Sequence, residues 1–169
     1  IYEQRSWDSA NANKLESSTI HSYLNSDFLS LFDHNIQSAI KQVKIPYRQN
    51  GGTNGTDQSG ANGLSVKAFL LSGYEVGFTT SDSIYFPVDG AKLDYFTASS
   101  GGNVKRIANF NGSPYGWWLR SPYGGNALSV WYVDSSGSRN RLSSYTSYGA
   151  RPAIILPSDM LVTDGMLAA

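Results

Sequence analysis

The side chains that ordinarily do chemistry are few in this sequence. It has two histidines, His21 and His34, thirteen acidic residues scattered through turns and helix starts, and no cysteine. The histidines stand in neither a His-x-His nor a His-x-x-x-His spacing, so no zinc site is expected, and each reads as an ordinary helix residue. Without cysteine there is no disulfide framework, no thiolate metal site and no thiol nucleophile. A Gly-x-Ser-x-Gly elbow and a phosphate-cradling Gly-Lys-Ser/Thr loop are both absent. No two carboxylates are marked out as a glycosidase pair. The expectation is a protein without catalytic residues, metal or cofactor.

The elements that must position any other site are a mixture of helices and strands, an α+β chain. Ser18 is placed to cap a helix carrying Ile20, Tyr23 and Leu24 on one face. Asn25-Ser26-Asp27 breaks it, and Asp27 would cap a second short helix through Phe28, Leu31 and Phe32. Asp33 would cap a third, with Ile36, Ile40 and Val43 as one apolar stripe. Val43 to Tyr47 reads as a short strand ending near Pro46. Residues 49–63 read as a long, mobile, solvated loop, with a binding loop as the alternative. Val66 to Leu71 is a buried-strand candidate, and Ser72-x-x-Glu75 has capping-box spacing. Ile84 to Phe86 and Leu93 to Phe96 are short ordered pieces, and Ser99 to Asn103 a loop. The last third reads as strands at Trp117–Arg120, Ala127–Val133, Ser138–Leu142 and Ala150–Leu156, with a turn at Asp134 to Gly137.

Arg120 and Arg151 stand in otherwise apolar strands. A buried guanidinium needs acceptors for five donors, which backbone carbonyls or carboxylates supply. Both are therefore assigned a locking role rather than ligand contact. Trp117 and Trp118 must face opposite sides of a strand, so at least one is core.

Bulk composition narrows the partners. Thirteen basic residues balance thirteen acidic ones, and only 15% of the chain is charged, against roughly 25% in average domains. A basic face for nucleic acid is lacking. No run of about 18 apolar residues spans a membrane, and no signal peptide is evident. The neutral polar composition accords with a secreted, virion or cell-surface location. A length of 169 residues suits one domain, and a start at Ile1 suggests the C-terminal module of something longer.

Gly116-Trp117-Trp118-Leu119-Arg120-Ser121-Pro122, then Gly149-Ala150-Arg151-Pro152-Ala153, with Phe69-Leu70-Leu71-Ser72-Gly73-Tyr74-Glu75-Val76 upstream, resembles a domain family of unknown function found in bacterial and phage proteins. The resemblance runs from the Trp7 and Leu24-Asn25 region to Leu156-Pro157-Ser158, with Ala150 where the family usually has Val. The pattern is also similar to the wider C-type-lectin-like group, which includes formylglycine-generating-enzyme-like proteins and retroelement-diversified receptor binders. That implies N-terminal helices packed on small antiparallel sheets. The enzymes of the group need cysteines or clustered histidines, and its calcium lectins need Glu-Pro-Asn or Gln-Pro-Asp with Trp-Asn-Asp. None of these occurs here.

In the diversified relatives the stretch equivalent to 123–148 is the variable ligand-binding face. Here it is dominated by Tyr, Ser, Gly, Asn and Arg, a composition suited to adaptable recognition. The residues assigned to ligand contact are Trp131, Tyr132, Asp134, Ser136, Arg139, Asn140, Arg141, Tyr145 and Tyr148, although one or two of Trp131, Tyr132 and Val133 must point inward. The expected function is a non-catalytic binding module on a phage virion or bacterial surface, recognising a host protein or glycan. A decoration or assembly domain contacting virion neighbours or copies of itself is the alternative, and an enzyme with an unrecognised site stands third.

Overall fold

The computed structural model describes residues 1–79, 89–97 and 102–160. In chain order the strands and helices are β1 (Glu3–Ser6), α1 (Thr19–Leu24), α2 (Asp27–Ser30), α3 (His34–Ala39), β2 (Val43–Ile45), β3 (Tyr47–Gln49), β4 (Thr56–Gln58), β5 (Leu64–Val66), β6 (Ala68–Leu70), α4 (Asp94–Thr97), α5 (Gly102–Arg106), β7 (Ala108–Phe110), β8 (Ser113–Tyr115), β9 (Trp117–Pro122), β10 (Ser129–Val133), β11 (Arg139–Ser143), β12 (Ser147–Ala150) and β13 (Pro152–Ile154). The chain is a loop-rich α+β structure of short elements.

A five-stranded sheet runs in the order β1-β12-β9-β10-β11, and β13-β6, β2-β5, β3-β4 and β7-β8 form two-stranded ribbons. The sheets are not all antiparallel. β12 lies parallel to β9, meeting it at Gly149 and Trp117. The N-terminal β1 closes one edge by pairing antiparallel with β12, Glu3 opposite Ala150 and Ser6 opposite Ser147.

β9 is buried from end to end, so it separates two packed layers. Because side chains alternate across a strand, Trp118 joins Trp7, Ile20, Leu24, Val66, Leu70 and Val130 on one face. Trp117 and Leu119 join Val76, Phe78, Phe96, Trp131 and Val133 on the other. Both tryptophans are core, and each indole N–H is satisfied. Trp117 Nε1 donates to the Arg106 carbonyl at 2.9 Å and Trp118 Nε1 to the Arg5 carbonyl at 2.9 Å.

Local signals place most of the helices. Ser18 accepts from the His21 N–H at the start of α1, and Asp33 accepts from the Asn35 and Ile36 N–H groups at the start of α3. At α2 the cap position is Ser26, whose side chain makes no capping bond, and Asp27 is the first helical residue instead. The stripe Ile36, Ile40, Val43 is not one helix face, because α3 ends at Ala39 and Val43 opens β2. The Ser72–Glu75 capping box is reciprocal: Glu75 N–H donates to Ser72 Oγ at 3.1 Å and Ser72 N–H to Glu75 Oε2 at 2.9 Å.

Several boundaries differ from the sequence expectation, each for a physical reason. Pro46 has no N–H and divides the expected strand into β2 and β3. The final strand is likewise two, with Arg151 at the joint. β12 belongs to the main sheet, while β13 pairs with β6. Asn126 Oδ1 accepts from the Leu128 and Ser129 N–H groups, and this side-chain turn delays β10 until Ser129. Leu93–Phe96 is mostly the short helix α4, and Asn103, expected in a loop, lies in α5. Ile84 to Phe86 and positions 99–101 lie outside the described residues.

Candidate functional site

The residues expected to bind ligand fall on two sides of the sheet. β10 and β11 pair Trp131 with Arg141, Tyr132 with Asn140 and Val133 with Arg139, so neighbours along either strand alternate in direction. Trp131 points into the layer below Trp117 and is only 7% exposed, so it is not the surface anchor that the sequence suggested. Tyr123 packs against it edge-on at 5.5 Å, and Arg141 stacks over Tyr123 at 4.4 Å. Arg139, partly buried, is opposite Val133. Ser136 and Asp134 are occupied by their own turn, where Asp134 Oδ1 accepts from Ser136 N, Ser136 Oγ and Ser138 N at 2.9, 2.6 and 3.0 Å. Burial raises the Asp134 pKa, but these hydrogen bonds outweigh it and hold the carboxyl below its ordinary value. Tyr145 is exposed in the turn after β11.

Tyr132 and Tyr148, by contrast, come together on the opposite side. Their ring centroids are 4.8 Å apart at 73°, and both lean on Trp118 at 6.1 and 5.7 Å. Two residues outside the expected stretch extend the group. Tyr115 of β8 lies 5.1 Å from Tyr148, and Phe110 of β7 lies 5.8 Å from Tyr115. Phe110, Tyr115, Tyr148 and Tyr132 thus form one continuous, half-exposed aromatic ridge, with Asn140 exposed opposite Tyr132. Nothing in the spacing of the β7-β8 ribbon marks it as a neighbour of β12, so sequence reasoning missed half of the ridge.

The ridge explains two glycines of the motifs. A Cβ on Gly116 would overlap the Tyr148 ring, and one on Gly149 would overlap the Gly116 carbonyl. Their bareness lets β12 and β9 run close together and lets Tyr148 lie across the joint. Burial raises the pKa of Tyr132, helped by the Asp134 charge. Burial, then the neighbouring tyrosines and Asp134, push Tyr148 up to about 12. At neutral pH these phenols are uncharged and able both to donate and to accept.

Beneath the ridge and to one side lies the polar network around Arg120, which is 1% exposed. All five of its N–H donors are used. Nε donates to the Pro46 carbonyl at 3.0 Å, Nη1 to the Leu70 carbonyl at 3.0 Å and Glu75 Oε2 at 2.6 Å, and Nη2 to Glu75 Oε1 at 2.8 Å and the Asp89 carbonyl. Ser121 Oγ donates to Asp89 Oδ2 at 2.8 Å and accepts from the Gly73 N–H at 3.0 Å. The guanidinium ties the Pro46 joint between β2 and β3, and strands β6 and β9, to the segments at 75 and 89. Arg151 is held differently, stacked at 4.8 Å over Trp117 and 5.8 Å over Phe96, with Nη1 buried and without a hydrogen-bond partner. Burial lowers its pKa. A second buried arginine, Arg106, was not singled out by the sequence. It donates to the Gly137 and Val76 carbonyls at 2.9 Å each, and to Asn103 Oδ1.

His21 and His34 do not converge on a site. His21 is partly buried in α1, where burial lowers its pKa against the opposing pull of Glu16. Among the described residues no group of three or more His, Asp or Glu side chains is placed to hold a metal ion, and no helix is long and apolar enough to cross a membrane.

With this geometry in view, the chain belongs to the family described as a domain of unknown function, DUF6273, whose model matches residues 1–158. No curated protein and no solved structure matches the chain.

Proposed function

We propose that this chain is a non-catalytic binding module with a C-type-lectin-like arrangement, displayed on a phage virion or a bacterial surface. It recognises a host or cell-surface protein or glycan through the ridge of Phe110, Tyr115, Tyr148 and Tyr132. The observation that carries this reading is the ridge itself: four aromatic rings in unbroken contact, half-exposed, and seated on the buried Trp118. Aromatic side chains held by their neighbours give contact area at low entropic cost, and tyrosine hydroxyls add hydrogen bonds at the rim. Binding is noncovalent and needs no metal. Asn140, exposed opposite Tyr132, supplies an adaptable polar contact beside the ridge.

Comparison of naturally occurring sister copies of the gene from one community tests this. The expected result is that substitutions concentrate at ridge and rim positions such as 115, 132, 140 and 148, while Gly116, Trp118, Arg120 and Gly149 stay fixed. Substitutions spread evenly over the surface would sink the diversified-receptor reading and favour an assembly domain that contacts virion neighbours or its own copies.

A further inference from the structure

A groove of about 330 Å³ opens between the turn after β3 and the loop before β10, lined by Lys14, Asn50, Gly52, Thr53, Asn54 and Ala127. The volume is at the lower end of small-ligand sites. It lies at the Ser129 end of β10, whereas the ridge lies at the Tyr132 end.

Both walls are anchored to one residue. Asn13 is fully buried. Its Nδ2 donates to the carbonyls of Tyr123, Asn126 and Ser129 at 3.2, 2.9 and 2.7 Å, and its backbone N–H to the Ala127 carbonyl at 2.9 Å. On the other wall, Asn50, Gly51 and Gly52 have φ of 64°, 61° and 32°, three left-handed residues in a row. The turn is held there by Arg48 Nε on the Gly52 carbonyl at 2.9 Å and by the Asn50 N–H on Glu16 Oε1 at 2.7 Å. Gly51 sits directly against Asn13, because a Cβ there would overlap the Asn13 carbonyl.

The consequence is a preformed row of donors. Among the described residues, the backbone N–H groups of Gly52, Thr53 and Asn54 donate no hydrogen bond. Successive free amides in such a turn form a concave donor site. The Lys14 ammonium, the Thr53 hydroxyl and the Asn50 and Asn54 amides add both donors and acceptors. The local charge is balanced. Lys14 lines the groove, the Glu16 carboxylate accepts from the Asn50 N–H at its wall at 2.7 Å, and Arg48 pairs with Asp57 at 2.9 Å. A balanced, mixed lining without an aromatic ring suits hydroxyl groups, which donate and accept at once, better than an anion or a flat ring.

We infer that this groove is a second binding site, independent of the aromatic ridge, for a neutral polyhydroxylated ligand the size of one sugar ring.

The test is an amide-resolved NMR titration of the intact chain with glucose, galactose, mannose and N-acetylglucosamine, and separately with inorganic phosphate. At least one sugar is expected to give saturable shifts at Gly52, Thr53 and Asn54, with a Kd of about millimolar for so small a ligand. Thr53→Ala and Asn54→Ala, both at exposed positions, should each weaken it several-fold while leaving the remaining spectrum in place. Tyr132→Ala should leave it unchanged, which separates this site from the ridge. No saturable shift with any of the four sugars overturns the inference. So does a response of these amides to phosphate alone, which would make the turn an anion site.

Discussion

Asp89 is the residue whose chemistry is most at odds with its surroundings. It is buried beside Arg120, with Oδ2 bonded to Ser121 and Oδ1 without a partner. Burial raises its pKa to about 7, and the opposing pull of Arg120 and of the Ser121 and Ser72 hydroxyls does not cancel that rise. Arg120 is already committed to Glu75 in a two-pronged pair, so it neutralises Glu75 first. The sign of the linkage follows. The folded form holds the proton more tightly than the unfolded chain, whose value is 3.8. Stability is therefore greatest below that value, falls as pH rises toward about 7, and is level above it. Asp89→Asn, which cannot ionise, is expected to remove this slope. Urea unfolding at pH 5 and pH 8 should show the variant gaining on the parent by on the order of 2 kcal/mol between the two. Parallel pH profiles for the two proteins would mean that Asp89 is ionised in the fold.

At the level of elements, glycine is where backbone and packing demands can be separated. Gly51 and Gly60 both have positive φ, 61° and 55°. A Cβ on Gly60 meets nothing within 4 Å, while one on Gly51 would overlap the backbone of Asn13. Gly60→Ala is expected to cost only the conformational penalty, about 1 kcal/mol. Gly51→Ala should cost that plus about 2 kcal/mol for forcing the turn off Asn13. Chemical denaturation of the two variants compares them directly, and equal losses would show that the turn gives way freely. The same contrast explains what the sequence could and could not reveal. Ser18, Asp33, the Ser72–Glu75 box and the Asp134–Gly137 turn act on backbone groups within a few residues, so their spacing announces them. The loop of 49–63 looked solvated because its composition is polar, yet Gly51 and Gly52 are buried by Asn13 and Asn126, which are distant in sequence. The pairing of β1 with β12 is equally non-local. On β10 the alternation that hides Trp131 and exposes Tyr132 is simple once the face is known. Which face is covered depends on the layers brought by residues 76–78, 96 and 106, and no local pattern states that.

Across the whole molecule, β9 is the element on which two otherwise separate cores depend. Trp118 faces the core built from the N-terminal helices and β6, and Trp117 the core built from the 76–78 segment, α4 and β10. Neighbouring residues on one strand cannot lose their register independently, because a slip exchanges the faces of both side chains. Arg120 strengthens the coupling, since from the same strand it bonds to the 46, 70, 75 and 89 segments around it. Trp117→Phe and Trp118→Phe each remove one indole bond and part of one core, at an expected cost of about 1–3 kcal/mol. The ridge leans on Trp118, yet both substitutions should lower the stability of the same single transition. The measurement is equilibrium unfolding followed in parallel by far-UV circular dichroism and by the fluorescence of the remaining tryptophans. Coincident curves, displaced together in both variants, are expected of one cooperative unit. If Trp117→Phe instead splits the curve, leaving the Trp118 core intact at its original midpoint, then β9 is not the shared spine and the ridge stands on a core that folds alone.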